Sequence, residues 1–128
     1  YYNDSKATNT DSAIKALEAF DGHIILIAGG DDKLTDLDEF MELVHARVDE
    51  LILVGDAAER FAAAARDAGI PEAQIHRVGY HMEKAVQLAR ELAVEGQIVL
   101  LSPACASFDM YGGYEERGRD FKRLVNEL

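Results

Sequence analysis

The amino-acid sequence predicts a doubly wound α/β domain, with a mostly parallel sheet of about five or six strands and helices on both faces. Short runs of β-branched and other apolar residues alternate about five times with segments whose apolar residues repeat at helical spacing. Several of the short runs are almost wholly apolar, as strands buried on both faces must be. This alternation favours parallel strands joined by right-handed crossovers.

The first strand and helix are predicted close to the N-terminus. An opening strand precedes Asp4, and a first helix carries Ile14, Leu17 and Phe20 on its inner face. The N-cap of this helix is expected between Thr8 and Ser12, a segment that contains residues favoured at N-caps. These elements form the first strand–helix pair.

The next two strands are the most strongly predicted. They are HIILIAGG (residues 23–30) and LILVG (residues 51–55), both continuous apolar runs that end in glycine. The helix between them is indicated by a stripe of Leu37, Phe40, Met41, Val44 and Val48. A third helix starts at a variant of the capping box formed by Asp56 and Glu59 and stops at Gly69. Its inner face consists of Ala57, Phe61, Ala64, Ala65 and Ala68.

The second half of the chain continues the alternation. QIHRV (residues 74–78) predicts a strand near an edge, because only Ile75 and Val78 are apolar, and QIVLL (residues 97–101) predicts the last buried strand. The helix between them has the stripe Met82, Ala85, Val86, Ala89, Leu92 and Ala93. A closing helix has the stripe Tyr114, Arg117, Phe121, Leu124, Val125 and Leu128. Together these elements are typical of a Rossmann-like domain.

Length and charge limit the classes of function. The 128 residues, 48% of them hydrophobic, suffice for one domain with its own core. A formal net charge of −11 opposes binding to nucleic acid or anionic membranes. No apolar run approaches the roughly 18–20 residues of a membrane span, and the single cysteine, Cys105, cannot form an internal disulfide. We expect a cytoplasmic monomer without nucleic-acid or membrane partners.

Three loops at one edge of the predicted sheet are chemically unusual. Ligands of doubly wound domains lie beyond the carboxyl ends of the strands. Three of the predicted strands end in unusual loops: loop 1 (residues 4–9, DSKATN), loop 2 (residues 29–33, GGDDK) and loop 3 (residues 102–114, SPACASFDMYGGY). Taken singly, each loop has an ordinary structural explanation: a solvated pair of Asp4 and Lys6 in loop 1, a tight glycine turn in loop 2 and a loop of small residues in loop 3. Together they supply lysines, hydroxyls and exposed N–H groups, which favour a small carboxylate or phosphate ligand.

Other kinds of site have less support. No G-x-G-x-x-G or G-x-x-x-x-G-K-[ST] motif occurs, Cys105 has no evident histidine partner, and no metal-ligand spacing is visible. One alternative is a phospho-accepting receiver domain, with Asp31 and Asp32 as the acidic pair and Asp56 as the acceptor. Against it, Gly79 rather than a hydroxyl residue follows the fourth strand, and no Lys-Pro follows the last. A stand-alone binding module is a third alternative.

Three motifs resemble a known family. NDSKATN (residues 3–9), GGDDK (residues 29–33) and LLSPACASFDMYGGYEERGRDF (residues 100–121) are similar to segments of the C-terminal domain of the Mur ligases, and the likeness extends over the whole chain. The first and third motifs are typical of the branch that adds D-glutamate. The resemblance implies that residues 1–128 are one domain of a larger bacterial enzyme, without its N-terminal and central ATP-binding domains. A start at YYNDSKATN, with neither Met nor leader, agrees with this expectation.

The resemblance also implies an activity. Such ligases join D-glutamate to UDP-N-acetylmuramoyl-L-alanine in peptidoglycan precursor synthesis, through an acyl phosphate formed with ATP. ATP and Mg²⁺ are held mainly by the absent central domain, so we expect neither cofactor in this chain and no turnover by the chain alone. The C-terminal domain receives D-glutamate and swings over the nucleotide, which excludes water from the intermediate.

Residues that contact D-glutamate are implied by the same resemblance. Lys33 is expected to pair with the side-chain carboxylate of D-glutamate, and Thr8 and Ser107 to anchor the amino acid with their donor groups. Phe108 and Tyr114 are expected to line the same pocket, partly through backbone groups. The domain is acidic and D-glutamate carries two carboxylates, so capture of this ligand requires local cations and N–H donors.

Two further roles are implied near the reacting groups. Lys6 is expected to be catalytic and to face the reacting phosphate and carboxylate, where a lysine disfavours the ammonium form of the attacking amine. Asp4 is expected to meet the ribose of ATP when the domains close. Some relatives have a small residue at the position of Asp32, and here Asp32 adds a carboxylate beside Lys33.

Overall fold

A computed structural model describes residues 1–128 and shows one sheet between two layers of helices. The strands are β1 (Tyr2–Asn3), β2 (Ile24–Gly29), β3 (Val48–Val54), β4 (Ile75–Arg77) and β5 (Ile98–Leu101). The helices are α1 (Thr10–Glu18), α2 (Asp38–Arg47), α3 (Ala58–Asp67), α4 (Met82–Leu92) and α5 (Tyr114–Asn126). The predicted α/β class is therefore confirmed. No helix is both long enough and apolar enough to cross a membrane.

The five strands form one wholly parallel sheet in the order β1-β5-β2-β3-β4. Leu26 of β2 pairs with Leu51 of β3 on one side and with Leu100 of β5 on the other. The predicted edge position of β4 is confirmed, because it pairs only with β3. All carboxyl ends of the strands therefore lie at one edge of the sheet.

The alternation of side chains along β2 divides the core into two halves. Ile24, Leu26 and Ala28 pack with the buried faces of α1, α2 and α3, whereas Ile25 and Ile27 pack with those of α4 and α5. All six residues of β2 are buried. Full burial of each large aliphatic side chain contributes about 1.5–3 kcal/mol, so the centre of the sheet is a rigid base for the loops at its edge.

Two local predictions are wrong. Val48 does not belong to the stripe of α2, because that helix ends at Arg47 and Val48 begins β3, where it pairs with Ile24. Asp56 does not cap α3, whose N-cap is Ala57 without a side-chain hydrogen bond. The carboxylate of Asp56 accepts a hydrogen bond from the Tyr80 hydroxyl instead.

Candidate functional site

Loops 1, 2 and 3 meet at the carboxyl edge because they follow three neighbouring strands of the sheet. Loop 1 follows β1, loop 3 follows β5 and loop 2 continues from the end of β2, and the sheet order places these strands side by side. Between the loops lies a cavity of about 80 Å³. Its walls are formed by Thr8, Asn9, Asp31, Asp32, Lys33, Thr35, Arg60, Phe61, Ala104 and Cys105. The predicted meeting of the three loops is therefore observed.

Hydrogen bonds join loop 3 to each of the other two loops. The Asp31 N–H of loop 2 donates to the Ala106 carbonyl of loop 3 at 2.8 Å. The Ser102 hydroxyl of loop 3 donates to the Asp4 carboxylate of loop 1 at 3.0 Å. The two contacts span 75 and 98 positions of the chain (106 − 31 and 102 − 4), so the arrangement of the loops depends on the tertiary fold.

Two non-glycine residues near the cavity have a left-handed backbone. Leu34, directly after loop 2, has a φ of 58°, and Ala104 of loop 3 has a φ of 60°. A non-glycine residue in this region costs free energy, about 1–3 kcal/mol, and such residues concentrate at functional sites. Both loops therefore keep strained conformations beside the cavity.

Arg117 connects loop 1 to loop 3 from inside the protein. Only 2% of this residue is exposed. Its guanidinium donates to the Ser5 hydroxyl at 3.0 Å, to the Ser5 carbonyl at 2.6 Å and to the Cys105 carbonyl at 3.0 Å. Burial lowers the pKa of Arg117 to about 10, so the group is still a cation at neutral pH. A buried cation held by backbone and hydroxyl oxygens fixes both loops in place.

The N-terminus of α1 borders the cavity through Thr8 and Asn9. Asn9 is the N-cap, within the predicted segment, and its side-chain oxygen accepts a hydrogen bond from the Ser12 N–H at 2.9 Å. The first turn of a helix carries a partial positive charge. This end of α1 therefore favours an anionic group in the cavity.

The predicted ligand-binding residues do not all line the same cavity. Thr8 and Lys33 line the cavity, and Lys33 is exposed and makes neither a hydrogen bond nor an ion pair. Asp4 and Lys6 instead line a neighbouring open groove of about 520 Å³ between β1 and α1, together with Lys15. The predicted residues are therefore divided between the cavity, which Lys33 lines, and the groove, which Lys6 lines.

The predicted residues of loop 3 do not line the cavity. Ser107 is 2% exposed, and its hydroxyl is buried without a hydrogen-bond partner. Phe108 and Tyr114 are exposed, and the Tyr114 carbonyl accepts a hydrogen bond from the Ser5 hydroxyl at 2.7 Å. The ligand contacts of these three residues remain predictions.

Arg60 is a residue of the site that was not singled out from the sequence. Arg60 lines the cavity and pairs with Asp32 at 2.8 Å, although only its place on a helix was predicted. Cys105 also lines the cavity, and burial raises the pKa of its thiol to about 12. The thiol is therefore protonated at neutral pH, which favours a packing role over a nucleophilic one.

The acidic residues do not form the centre of a receiver domain. Asp32 is engaged by Arg60, and Asp56 by the Tyr80 hydroxyl. The 128 residues contain no group of three His, Cys, Asp or Glu side chains that could hold a metal ion. The receiver interpretation therefore has no support in the geometry.

Comparison with known proteins identifies similar chains. The family model described as "Mur ligase, glutamate ligase domain" matches residues 1–105. The chain is 50% identical over 128 residues to the UDP-N-acetylmuramoylalanine--D-glutamate ligase of Thermoanaerobacter sp. (strain X514). It is 48% identical over 128 residues to the protein of the same name from Clostridioides difficile (strain 630). Both alignments cover the whole of this chain, which spans 28% of the length of each relative.

Proposed function

This chain belongs to the Mur ligase family, and we propose that it is the D-glutamate-receiving domain of an ATP-dependent ligase that joins D-glutamate to UDP-N-acetylmuramoyl-L-alanine. On this proposal residues 1–128 are the C-terminal domain of a three-domain, cytoplasmic bacterial enzyme. The chain alone does not turn over substrate, because the precursor and ATP are held mainly by the other domains. The observation that carries the proposal is the meeting of three loops around a cavity lined by an unpaired lysine, Lys33.

Charge supports D-glutamate as the ligand of the cavity. The protein has a net charge of −11 and repels a dianionic amino acid at long range. Local attraction must therefore come from the Lys33 ammonium and from the N-terminus of α1. The cavity, at about 80 Å³, is much smaller than the roughly 300–1,000 Å³ of pockets that enclose small molecules. It therefore suits the side-chain carboxylate of D-glutamate and leaves the α-amino group outside, towards the acceptor.

Hydroxyl groups support the same assignment. The buried Ser107 hydroxyl has no partner, and such an orphaned group costs about 1–3 kcal/mol. Ser107 does not line the cavity, so a ligand carboxylate would accept this hydrogen bond, and remove the cost, only after a shift of loop 3. Thr8 lies in the wall of the cavity, where its hydroxyl can donate to the same ligand.

The chain fits part of ATP and does not fit Mg²⁺. Asp4 uses only its Oδ2 atom, as acceptor from Ser102, so Oδ1 is free to accept from a ribose hydroxyl. Lys6 lines the same groove and suits a phosphate group. ATP supplies the phosphoryl group that converts the acceptor carboxylate into an acyl phosphate. Since no group of three metal-ligating side chains exists here, Mg²⁺ would be held elsewhere in the longer protein.

Lys6 is the proposed catalytic residue of this chain. An ammonium group beside the reacting atoms stabilises negative charge on the phosphate. It also disfavours a second ammonium, so the amine of D-glutamate is held neutral and can attack. Lys6 is exposed and lines the open groove between β1 and α1, a position from which it can reach groups brought by another domain.

Replacement of Lys33 tests the proposed function. A charge-assisted hydrogen bond contributes about 1.5–3 kcal/mol, so in the longer ligase Lys33→Ala should raise the KM for D-glutamate at least about tenfold. The KM for ATP should stay within about twofold, because the nucleotide contacts are elsewhere. Lys84→Ala, at an exposed position on α4, is the matched control. An unchanged KM for D-glutamate in Lys33→Ala would remove Lys33 from the binding role.

A further inference from the structure

Asp32 places a carboxylate next to the lysine that the proposed function requires to be free. Asp32 directly precedes Lys33, and both residues line the cavity between the loops. A free carboxylate at this point would attract the Lys33 ammonium and compete with the carboxylate of the ligand. The contacts of Asp32 show how this competition is avoided.

Arg60 occupies both oxygens of the Asp32 carboxylate. Its Nε lies 2.8 Å from Oδ2 and 3.1 Å from Oδ1, and its Nη2 lies 2.9 Å from Oδ1. The Leu34 N–H donates to Oδ1 as well, at 2.9 Å. Only 14% of the Asp32 side chain is exposed. Hydrogen bonds from Arg60 hold the pKa of Asp32 below its ordinary value, so the carboxylate stays charged and engaged.

Arg60 makes hydrogen bonds to residues that precede and follow Lys33 in the chain. It is the third residue of α3, and its Nη1 donates to the Thr35 carbonyl at 2.8 Å. The start of α3 is tied to loop 2 by the Ala57 N–H, which donates to the Gly30 carbonyl at 2.9 Å. One guanidinium therefore holds the chain at residues 32 and 35, and the Lys33 side chain between them makes no contact of this kind.

We propose that Arg60 is a positioning residue for Lys33, which it keeps free for the ligand by occupying the neighbouring Asp32 carboxylate. The inference rests on the proposed role of Lys33 as the anchor for D-glutamate. It explains how an additional carboxylate can exist in a site for an anionic ligand. At position 32 the ligand meets a neutralised Asp32–Arg60 pair instead of a free carboxylate, whereas the Asp31 carboxylate also lines the cavity.

A measurement without ligand tests the inference separately from the function. In ¹⁵N–¹H correlation spectra of the lysine ammonium groups of this 128-residue chain, Arg60→Ala should shift the Lys33 signal and slow its hydrogen exchange, because Asp32 is then free to pair with it. The double variant Asp32→Ala/Arg60→Ala should return the signal to its wild-type position. Arg66→Ala, on the same helix, breaks an exposed ion pair with Glu72 beyond the helix end and is the matched control. The inference is overturned if Arg60→Ala leaves the Lys33 chemical shift unchanged, or if the shift stays displaced in the double variant.

Kinetics of the longer ligase give the functional consequence. Arg60→Ala should raise the KM for D-glutamate at least about tenfold and change kcat by no more than about twofold. Addition of Asp32→Ala should bring the KM back to within about threefold of wild type, because the competing carboxylate is gone. A purely structural Arg60 would leave the double variant as impaired as Arg60→Ala, and that result overturns the inference. If instead Lys33→Ala leaves the KM unchanged, the proposed function fails, and the spectra without ligand still decide the role of Arg60.

Discussion

Replacement of Arg117 by methionine removes the buried connection between loop 1 and loop 3. The guanidinium is 2% exposed and donates hydrogen bonds to two atoms of Ser5 and to the Cys105 carbonyl. Methionine is an unbranched apolar side chain that ends where the arginine Nε lies, and it has no hydrogen-bond donor. The substitution therefore leaves the fold of α5 possible and removes only the contacts that fix the two loops.

The size of the effect follows from the acceptors left behind. Burial of a cation is unfavourable, and Arg117→Met removes that cost. The carbonyls of Ser5 and Cys105 lose their partner, however, and each buried unsatisfied group costs about 1–3 kcal/mol. The Ser5 hydroxyl keeps its bond to the Tyr114 carbonyl. After partial relaxation we expect the free energy of unfolding to fall by about 2–4 kcal/mol.

Urea unfolding of the chain, followed by circular dichroism, measures this loss. With a dependence of about 2 kcal/mol per molar urea, the middle of the usual range, the midpoint should fall by about 1–2 M. Arg119→Met, two positions further along α5 at an exposed site, is the matched control and should stay within about 0.5 kcal/mol of wild type. If Arg117→Met is no less stable than Arg119→Met, the hydrogen bonds of Arg117 to loops 1 and 3 do not contribute to stability.

Two further predictions concern Gly29 and Cys105. Gly29→Ala should lower the free energy of unfolding by at least about 3 kcal/mol, because a Cβ there would lie 2.1 Å from the Val54 carbonyl oxygen at a φ of 111°. Gly96→Ala, at a φ of 93° with open space around the added Cβ, should lower it by only about 1 kcal/mol. Equal losses for the two variants in urea unfolding would refute the steric argument. Since burial raises the pKa of Cys105 from 9.0 to about 12, iodoacetamide should label the folded chain at pH 8.5 more than about a hundredfold more slowly than the unfolded chain. The folded rate should climb as the pH rises towards 12, and mass spectrometry that finds equal rates for the folded and unfolded chain would contradict the burial of this thiol.

Local patterns were sufficient to predict most elements of the fold. The apolar run of β2 and the sparse apolar residues of β4 correctly indicated a buried strand and an edge strand. The order of the strands has no local signal, and it is this order, with β5 between β1 and β2, that brings loops 1, 3 and 2 together. Val48 was misassigned because it has helical spacing from Val44, whereas pairing with Ile24 places it in β3.

The site was predictable only where a motif named the residue. Thr8 and Lys33 lie in short motifs, and both line the cavity. Arg60 and Arg117 act across 28 and 112 positions of the chain, so no spacing rule connects them to Asp32 and Ser5. One signal for Arg117 was present, since an arginine in an otherwise apolar helix stripe must find buried acceptors.

We propose that three loops distant in sequence form one cradle for D-glutamate, and an NMR titration of the chain with D- and L-glutamate is the decisive measurement. We expect D-glutamate to shift the backbone signals of Thr8, Lys33, Ser107 and Tyr114 together, and L-glutamate to shift them less. Equal responses to the two enantiomers, or shifts confined to residues outside the three loops, would contradict it.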